Sequence, residues 1–307
     1  SRFWQSRINP CCLATELMLL RIVAIIFPIA AIVLAGFAYG RWRRPDMRWP
    51  NQINMEILTP ALILAALASK DFQLARYADL ALGGTLVALG SGLLAWPVAR
   101  LLGVQAKTLV PPMMFNNSGN MGIPLLLLAF GPAALPGAVI LFLVEMILHF
   151  SLGFYLLDHS ARWWTFLRQP VMIATAIGLV ISFSGLHLPD PLFHAVKMLG
   201  DASVPLALFS LGVRMVDISF RDSRLGIIGG VLCPASGLLM ATLFLWLQPL
   251  PHQQQDLLWL FAALPPAVLN FLVAERFRQE PHKVASIVLI GNLLSLLVMP
   301  LVMYFVL

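Results

Sequence analysis

The sequence predicts an all-α polytopic membrane protein with about ten transmembrane helices in two inverted five-helix repeats. The 307-residue chain is 60% hydrophobic and only 11% charged, whereas soluble domains are about 45–50% apolar and about 25% charged. Apolar stretches long enough to cross a bilayer recur along the chain, and its two halves share short motifs in the same order. These observations exclude an ordinary soluble domain, because so apolar a chain could not cover its surface with polar groups.

The apolar stretches define the predicted spans. A transmembrane helix needs about 20 mostly apolar residues. The stretches that approach this length are residues 19–40, 50–69, 77–101, 108–130, 135–157, 170–187, 192–213, 225–248, 256–274 and 283–306.

The basic residues predict the orientation in the lipid bilayer. Of the 20 Lys and Arg residues, 14 lie in loops on one side of the predicted spans. The positive-inside rule places that side in the cytoplasm, so both termini should be periplasmic in a bacterial inner membrane. The net charge of +6 is then explained by the basic residues that orient the protein in the membrane, and no nucleic-acid partner is expected.

Short matches relate the two halves at an offset of about 145 residues. Glu56 lies four residues before Pro60, as Asp201 lies four residues before Pro205. Because five spans is an odd number, the second half must cross the membrane in the opposite sense, which is a common construction of secondary transporters. Chance likeness between apolar helices is the alternative.

The expected units are an N-terminal extension (residues 1–17), the first repeat (18–158), a cytoplasmic linker (159–169) and the second repeat (170–307).

Spans 4 and 9 contain residues that interrupt helices. Span 4 has three Asn, two Gly and one Pro between residues 115 and 124, and span 9 has a double proline. Non-helical backbone survives at this depth only where protein or a wet cavity satisfies it, and paired interruptions indicate a binding site. The alternative is that these residues only bend the helices. The candidate substrate-binding residues are Asn116, Asn117, Ser118, Asn120, Gly122, Pro124, Pro265, Pro266, Asn270 and, in span 10, Asn292.

The interrupted spans favour an anionic substrate. After each break a new half-helix begins, and its first turn exposes free N–H groups at the positive end of the helix dipole. An anion can bind there without a buried Lys or Arg, and no Lys or Arg lies in the middle of any predicted span.

Five acidic or histidine residues within the spans are candidates for ion coupling, since charged groups in hydrocarbon are costly and mark function by default. Glu145 and His149 are four residues apart, so they share a helix face and could pass a proton. Asp201 lies within span 7, and Glu56 is its repeat partner. Glu56 and Asp79 could instead reach an interface, and His149 could be a packed side chain bonded to a carbonyl. Sodium bound by carbonyl, Asn and acid oxygens is the alternative to protons.

At these residues the sequence resembles the auxin efflux carrier family, with its sharpest matches at Asn117–Leu126 and Ala263–Pro265. The resemblance implies that spans 4 and 9 cross at their breaks, that transport follows an elevator mechanism, and that substrates are small organic anions. Asn117 matches an asparagine near the family's substrate site, and Pro124 and Pro265 match its crossover prolines.

The acidic positions add detail to the resemblance. Asp79 looks like the acid of the plant carriers' support site, where a proton is thought to bind. Glu145 and Asn270 stand where the plant proteins have glutamine and proline, so the chain looks more like the bacterial organic-acid branch, which includes malonate permeases.

Three other classes of protein are alternatives to an organic-anion carrier. A sodium-coupled symporter of bile-acid type would share the inverted repeat, and a membrane sensor would need a signalling domain or partner. An enzyme is disfavoured because the sequence has no nucleophile elbow, metal-ligand cluster or phosphate loop, and no cofactor is expected. The apolar outer faces are compatible with a homodimer.

Overall fold

The computed structural model describes residues 10–69, 72–158, 167–217 and 222–307. Within these ranges the chain is helical and contains no β-strand apart from one isolated antiparallel bridge between Asn116 and Pro266. The all-α class is therefore confirmed. The helices are α1 (Pro10–Arg43), α2 (Arg48–Ile53), α3 (Thr59–Leu67), α4 (Ala78–Leu101), α5 (Ala106–Met114), α6 (Ile123–Phe130), α7 (Leu135–Leu148), α8 (Phe154–Leu157), α9 (Pro170–Ser184), α10 (Asp190–Arg214), α11 (Ser223–Leu247), α12 (His252–Ala262), α13 (Val268–Arg276) and α14 (Pro281–Val306).

Six helical stretches are long and apolar enough to cross a membrane, which confirms a polytopic membrane protein. The predicted spans 4 and 9 are each split, into α5 and α6 and into α12 and α13, because Asn, Gly and Pro interrupt them. Span 6 is the 15-residue α9, so the number of ten spans stays a prediction. The six stretches are Glu16–Arg43, Leu74–Leu101, Pro132–Leu157, Asp190–Arg214, Ser223–Leu247 and Pro281–Val306.

The predicted unit boundaries stay predictions. Helix α1 begins at Pro10, inside the predicted extension of residues 1–17, because proline suits the first turn of a helix. Residues 1–9 and 159–166, the latter being most of the predicted linker, lie outside the described residues. Helix α9 begins at Pro170, where the second repeat was expected to begin.

The helices pack as two groups. The first group contains α1, α3, α9 and α10, and the second contains α4, α5, α7, α11, α12, α13 and α14. Glycines allow close approach within each group: a Cβ on Gly212 of α10 would lie 1.9 Å from the Val33 carbonyl oxygen of α1, and one on Gly230 of α11 would lie 2.9 Å from the Gly291 Cα of α14. Small residues at helix contacts are typical of membrane proteins.

The apolar side chains divide between a buried core and an exposed outer face. Phe115 and Phe261 are 0% and 1% exposed, and they fill the core where the two broken helices meet. Leu101 and Phe305, in contrast, are 86% and 78% exposed on the outer face. An outer face with this many large apolar side chains fits contact with lipid.

Candidate functional site

The two broken helices cross, and each break pairs with the other through its backbone. The Asn117 N–H donates to the Pro265 carbonyl over 2.7 Å, and the Ala267 N–H donates to the Phe115 carbonyl over 2.9 Å. Prolines 265 and 266 have no N–H to donate, so the helix is interrupted there, and the Pro265 carbonyl accepts from the other break instead of from its own helix. Backbone that would be costly in hydrocarbon is thereby satisfied inside the protein.

Two asparagines tie the crossing from the side. The Asn116 amide donates to the Phe261 carbonyl over 2.8 Å, and the Asn270 amide donates to the Phe115 carbonyl over 2.8 Å. Both side chains are buried, and the Oδ1 atom of each has no hydrogen-bond partner within the described part of the chain. The side-chain N–H groups of both asparagines therefore bind backbone carbonyls, while their Oδ1 atoms remain free to accept a hydrogen bond or to bind a cation.

A second pair of asparagines joins span 4 to α14. The Asn117 amide donates to Asn292 Oδ1 over 2.8 Å, and Asn292 donates to the Pro266 carbonyl over 2.9 Å and to the Val288 carbonyl over 2.8 Å. Both the oxygen and the nitrogen of the Asn292 side chain are therefore hydrogen-bonded, and they connect α14 to both breaks. The sequence placed these residues at one site, and the structure brings them together as one hydrogen-bonded network.

A cavity of about 130 Å³ lies between the crossing and the first helix group. The turns of π-helix at 54–58, 118–122 and 149–153 each contribute residues to its wall, and such turns inside α-helices are frequent at functional sites. The polar residues that line it are Asn51, Asn54, Thr59, Asn116, Asn117, Ser118, Asn120, Glu145, His149, Ser203, Ser210 and Arg214.

Both new half-helices begin at this cavity. In the first, the N–H groups of Ser118, Gly119 and Asn120 have no acceptor among the described residues, and in the second the same holds for Val268 and Leu269. All five residues line the cavity. Unpaired N–H groups and the positive ends of two helix dipoles therefore converge on one space, which is the arrangement that binds anions.

Glu145 and His149 lie in the wall of the same cavity, 4% and 2% exposed. Ser118 is a polar neighbour of the Glu145 carboxyl group, whose Oε2 atom has no hydrogen-bond partner in the described ranges. The His149 ring stacks on Phe115, with centroids 4.2 Å apart and an interplanar angle of 11°. Between residues that the structure describes, no hydrogen bond joins Glu145 to His149, although both face the candidate anion site.

The other predicted acids lie elsewhere. Asp79, Glu56 and Asp201 are exposed and do not line the cavity. Asp201 pairs with Lys197 over 2.6 Å, and Glu56 accepts a hydrogen bond from Gln52. The helices that carry these acids direct them outward, so the structure does not bring them to Glu145.

The remaining predicted site residues do not line the cavity. They are Gly122, Pro124, Pro265, Pro266, Asn270 and Asn292. Among them, Asn270 and Asn292 donate hydrogen bonds to backbone carbonyls of the crossing.

Sequence reasoning missed the wall that α10 contributes. Ser203, Ala207, Ser210 and Arg214 face the cavity, and Thr59 lies 3.0 Å from Ser203 between their hydroxyl oxygens. Arg214 is one of the 14 basic residues that the positive-inside rule predicts to lie in cytoplasmic loops. The spacing of small and polar residues at every third or fourth position of this helix was the signal that could have found the wall.

Comparisons with known proteins agree with this architecture. The model of the family described as membrane transport protein matches residues 159–303. The chain is 23% identical over 304 residues to the "Putative malonate transporter" of Rhizobium meliloti (strain 1021), covering 89% of this chain and 92% of that protein. It is 21% identical over 303 residues to an uncharacterized transporter of Methanocaldococcus jannaschii, covering 90% and 96%. These matches confirm the resemblance to the auxin efflux carrier-type membrane transport family.

Proposed function

We propose that the protein is a secondary active transporter that moves a small organic anion, a mono- or dicarboxylate, across the bacterial inner membrane. The observation that carries the proposal is the convergence of two half-helix N-termini on one cavity, with five N–H groups that have no acceptor among the described residues. Such a site stabilises negative charge without needing a basic side chain at its centre. The relatives are named as transporters, and the name of one of them specifies malonate, which supports a carboxylate substrate and a non-enzymatic role.

The position of Glu145 supports proton coupling as part of this proposal. Its carboxyl group lies in the wall of the cavity that would hold the anion. An ionised Glu145 would repel a bound carboxylate at close range, where the buried surroundings screen charge poorly. Protonation removes that repulsion, so proton and anion binding would favour each other and travel together.

The elevator mechanism and the inverted repeats are also part of the proposal. Ten spans in two inverted five-helix repeats would place the crossing near the middle of the membrane. The cavity lies between two helix groups, and the crossing belongs to the second group. Sliding of this group against the first would carry the site from one side of the membrane to the other.

A sodium-coupled symporter is the second candidate, and one observation favours it. Unpaired oxygen atoms of Asn116, Asn270 and Glu145 occur around the crossing. Carbonyl and carboxylate oxygens of this kind are suitable ligands for a hard cation.

Uptake into proteoliposomes tests these proposals. Labelled malonate, malate and indole-3-acetate are offered under a pH gradient, a sodium gradient or neither. We expect carboxylate uptake that requires the pH gradient, is reduced about tenfold or more in Asn117→Ala, and loses its pH dependence in Glu145→Gln. Glu275→Gln, which removes an exposed acid from α13, is the matched control and should behave as wild type.

The other outcomes separate the alternatives. Uptake that requires sodium would replace the proton proposal with the sodium-coupled one. No uptake of any anion by folded protein would contradict the transporter proposal and favour a membrane sensor.

A further inference from the structure

The cavity contains a basic side chain that the proposed anion site does not use. Arg214 is the last residue of α10, is partly buried, and lines the cavity together with the half-helix N-termini. Arg224, by contrast, lies in the first turn of α11 and is exposed outside the cavity. The position of Arg214 therefore differs from that of an arginine that only marks the cytoplasmic side.

Among the described residues, the charge of Arg214 has no partner. Across the ranges that the structure describes, no acid forms an ion pair with it and no hydrogen bond involves its guanidinium group. Glu145 lines the same cavity without pairing with it. Arginine keeps its charge at all accessible pH values, and a partly buried charge without a counter-ion is costly in a membrane protein.

A buried hydroxyl group lies about one helical turn before Arg214 on α10. Ser210 is 5% exposed, lines the cavity, and its Oγ atom has no hydrogen-bond partner in the described part of the chain. Residues four apart share one face of a helix, and Ser210 and Arg214 both line the cavity.

The chemistry of these groups identifies the occupant. A guanidinium group and a hydroxyl group both donate hydrogen bonds, and guanidinium binds a carboxylate through two parallel bonds. The N–H groups of the half-helices can hold one carboxylate of a substrate in the same cavity. Arg214 and Ser210 can hold another, which supplies the missing counter-ion.

We propose that Arg214 and Ser210 form a second carboxylate subsite and that the protein consequently selects small dicarboxylates over monocarboxylates. This inference rests on the proposed function and specifies its substrate class. A monocarboxylate fills only one of the two positions and leaves the Arg214 charge uncompensated.

The test compares malonate with monomethyl malonate, which has nearly the same shape and one charge fewer. In wild-type proteoliposomes, malonate should have the lower KM. In Arg214→Gln the KM for malonate should rise by about tenfold to a hundredfold, whereas that for the monoester should change little. Arg214→Lys should recover part of the preference, and Arg224→Gln, which removes a charge outside the cavity, should keep all of it.

A second measurement uses wild-type protein and does not depend on a variant folding. Phenylglyoxal modifies free arginine side chains, and mass spectrometry reports the modified fraction of Arg214. Malonate should protect Arg214, and monomethyl malonate should not.

Equal protection by both compounds, or equal loss of both substrates in Arg214→Gln, would overturn the inference while leaving the anion carrier intact. A wild-type protein that transports only monocarboxylates would do the same. Failure to transport any anion would contradict the proposed function itself.

Discussion

Asn117 supports the site by connecting three parts of the structure. Its backbone N–H pairs with Pro265, and its amide donates to Asn292, so it connects the first break to the second and to α14. Asn117 is 2% exposed and Asn292 is 4% exposed. A buried polar group that loses its partner costs about 1–3 kcal/mol, so each asparagine depends on the other.

A double-mutant cycle tests this dependence. We expect Asn117→Ala and Asn292→Ala each to lower the free energy of unfolding by about 1–3 kcal/mol. The double variant should lose less than the sum, because neither residue then leaves the other unpaired. Thermal unfolding in detergent measures the effect, with Asn120→Ala as the control, since Asn120 lines the cavity without a side-chain hydrogen bond to a described residue. Strict additivity would contradict the pairing.

At the scale of elements, Glu280, in the loop between α13 and α14 and outside the predicted spans, joins this loop to α5. Glu280 precedes α14 and accepts a hydrogen bond from Thr108 of α5 over 2.5 Å and another from Lys283. Burial alone would raise the pKa of Glu280, but the hydrogen bonds from Lys283 and Thr108 outweigh it and hold the pKa below the ordinary value. The contact therefore stabilises the ionised form of Glu280 and connects the two halves of the chain.

This contact predicts a pH-dependent contribution to stability. Because the pKa is lower in the folded protein, the contribution is present above the unfolded pKa of about 4.3 and is lost as the pH falls through the folded value. Glu280→Gln should therefore lower the free energy of unfolding by about 1 kcal/mol at pH 7, and its difference from wild type should shrink at more acidic pH.

Thermal unfolding between pH 7 and pH 3.5 measures this difference. Glu275→Gln, at an exposed position five residues earlier, should show no such trend. A deficit in Glu280→Gln that stays constant across the range would show that the ionised form is not what stabilises the contact.

At the scale of the whole molecule, the charge distribution predicts a single orientation. The 14 basic residues in loops on one side should lie in the cytoplasm, which places both termini in the periplasm. Alkaline phosphatase is active only in the periplasm, and green fluorescent protein exported there unfolded does not fluoresce. A fusion after Leu307 should therefore give active phosphatase and dark fluorescent protein, whereas the opposite result would reverse the topology.

The sequence by itself determined the class of the protein, the positions of its long helices and the two breaks. These properties are local, because apolar length sets a span and Pro, Gly and Asn interrupt a helix wherever they occur. The chemistry of the breaks followed for the same reason, since a helix that begins inside the protein always exposes N–H groups in its first turn. The convergence of both half-helices on one cavity agrees with that prediction.

Only the tertiary structure decided which side chains face the cavity. Asn117 and Asn292 are 175 residues apart in sequence, and Thr108 and Glu280 are 172 apart, so their pairing depends on how whole helices pack. Arg214 and Asp201 belong to the same helix, α10, but the orientation of this helix places Arg214 at the cavity and Asp201 away from it. A side chain's partner depends on the neighbouring helix as well as on its own, and that information is absent from any single stretch of the sequence.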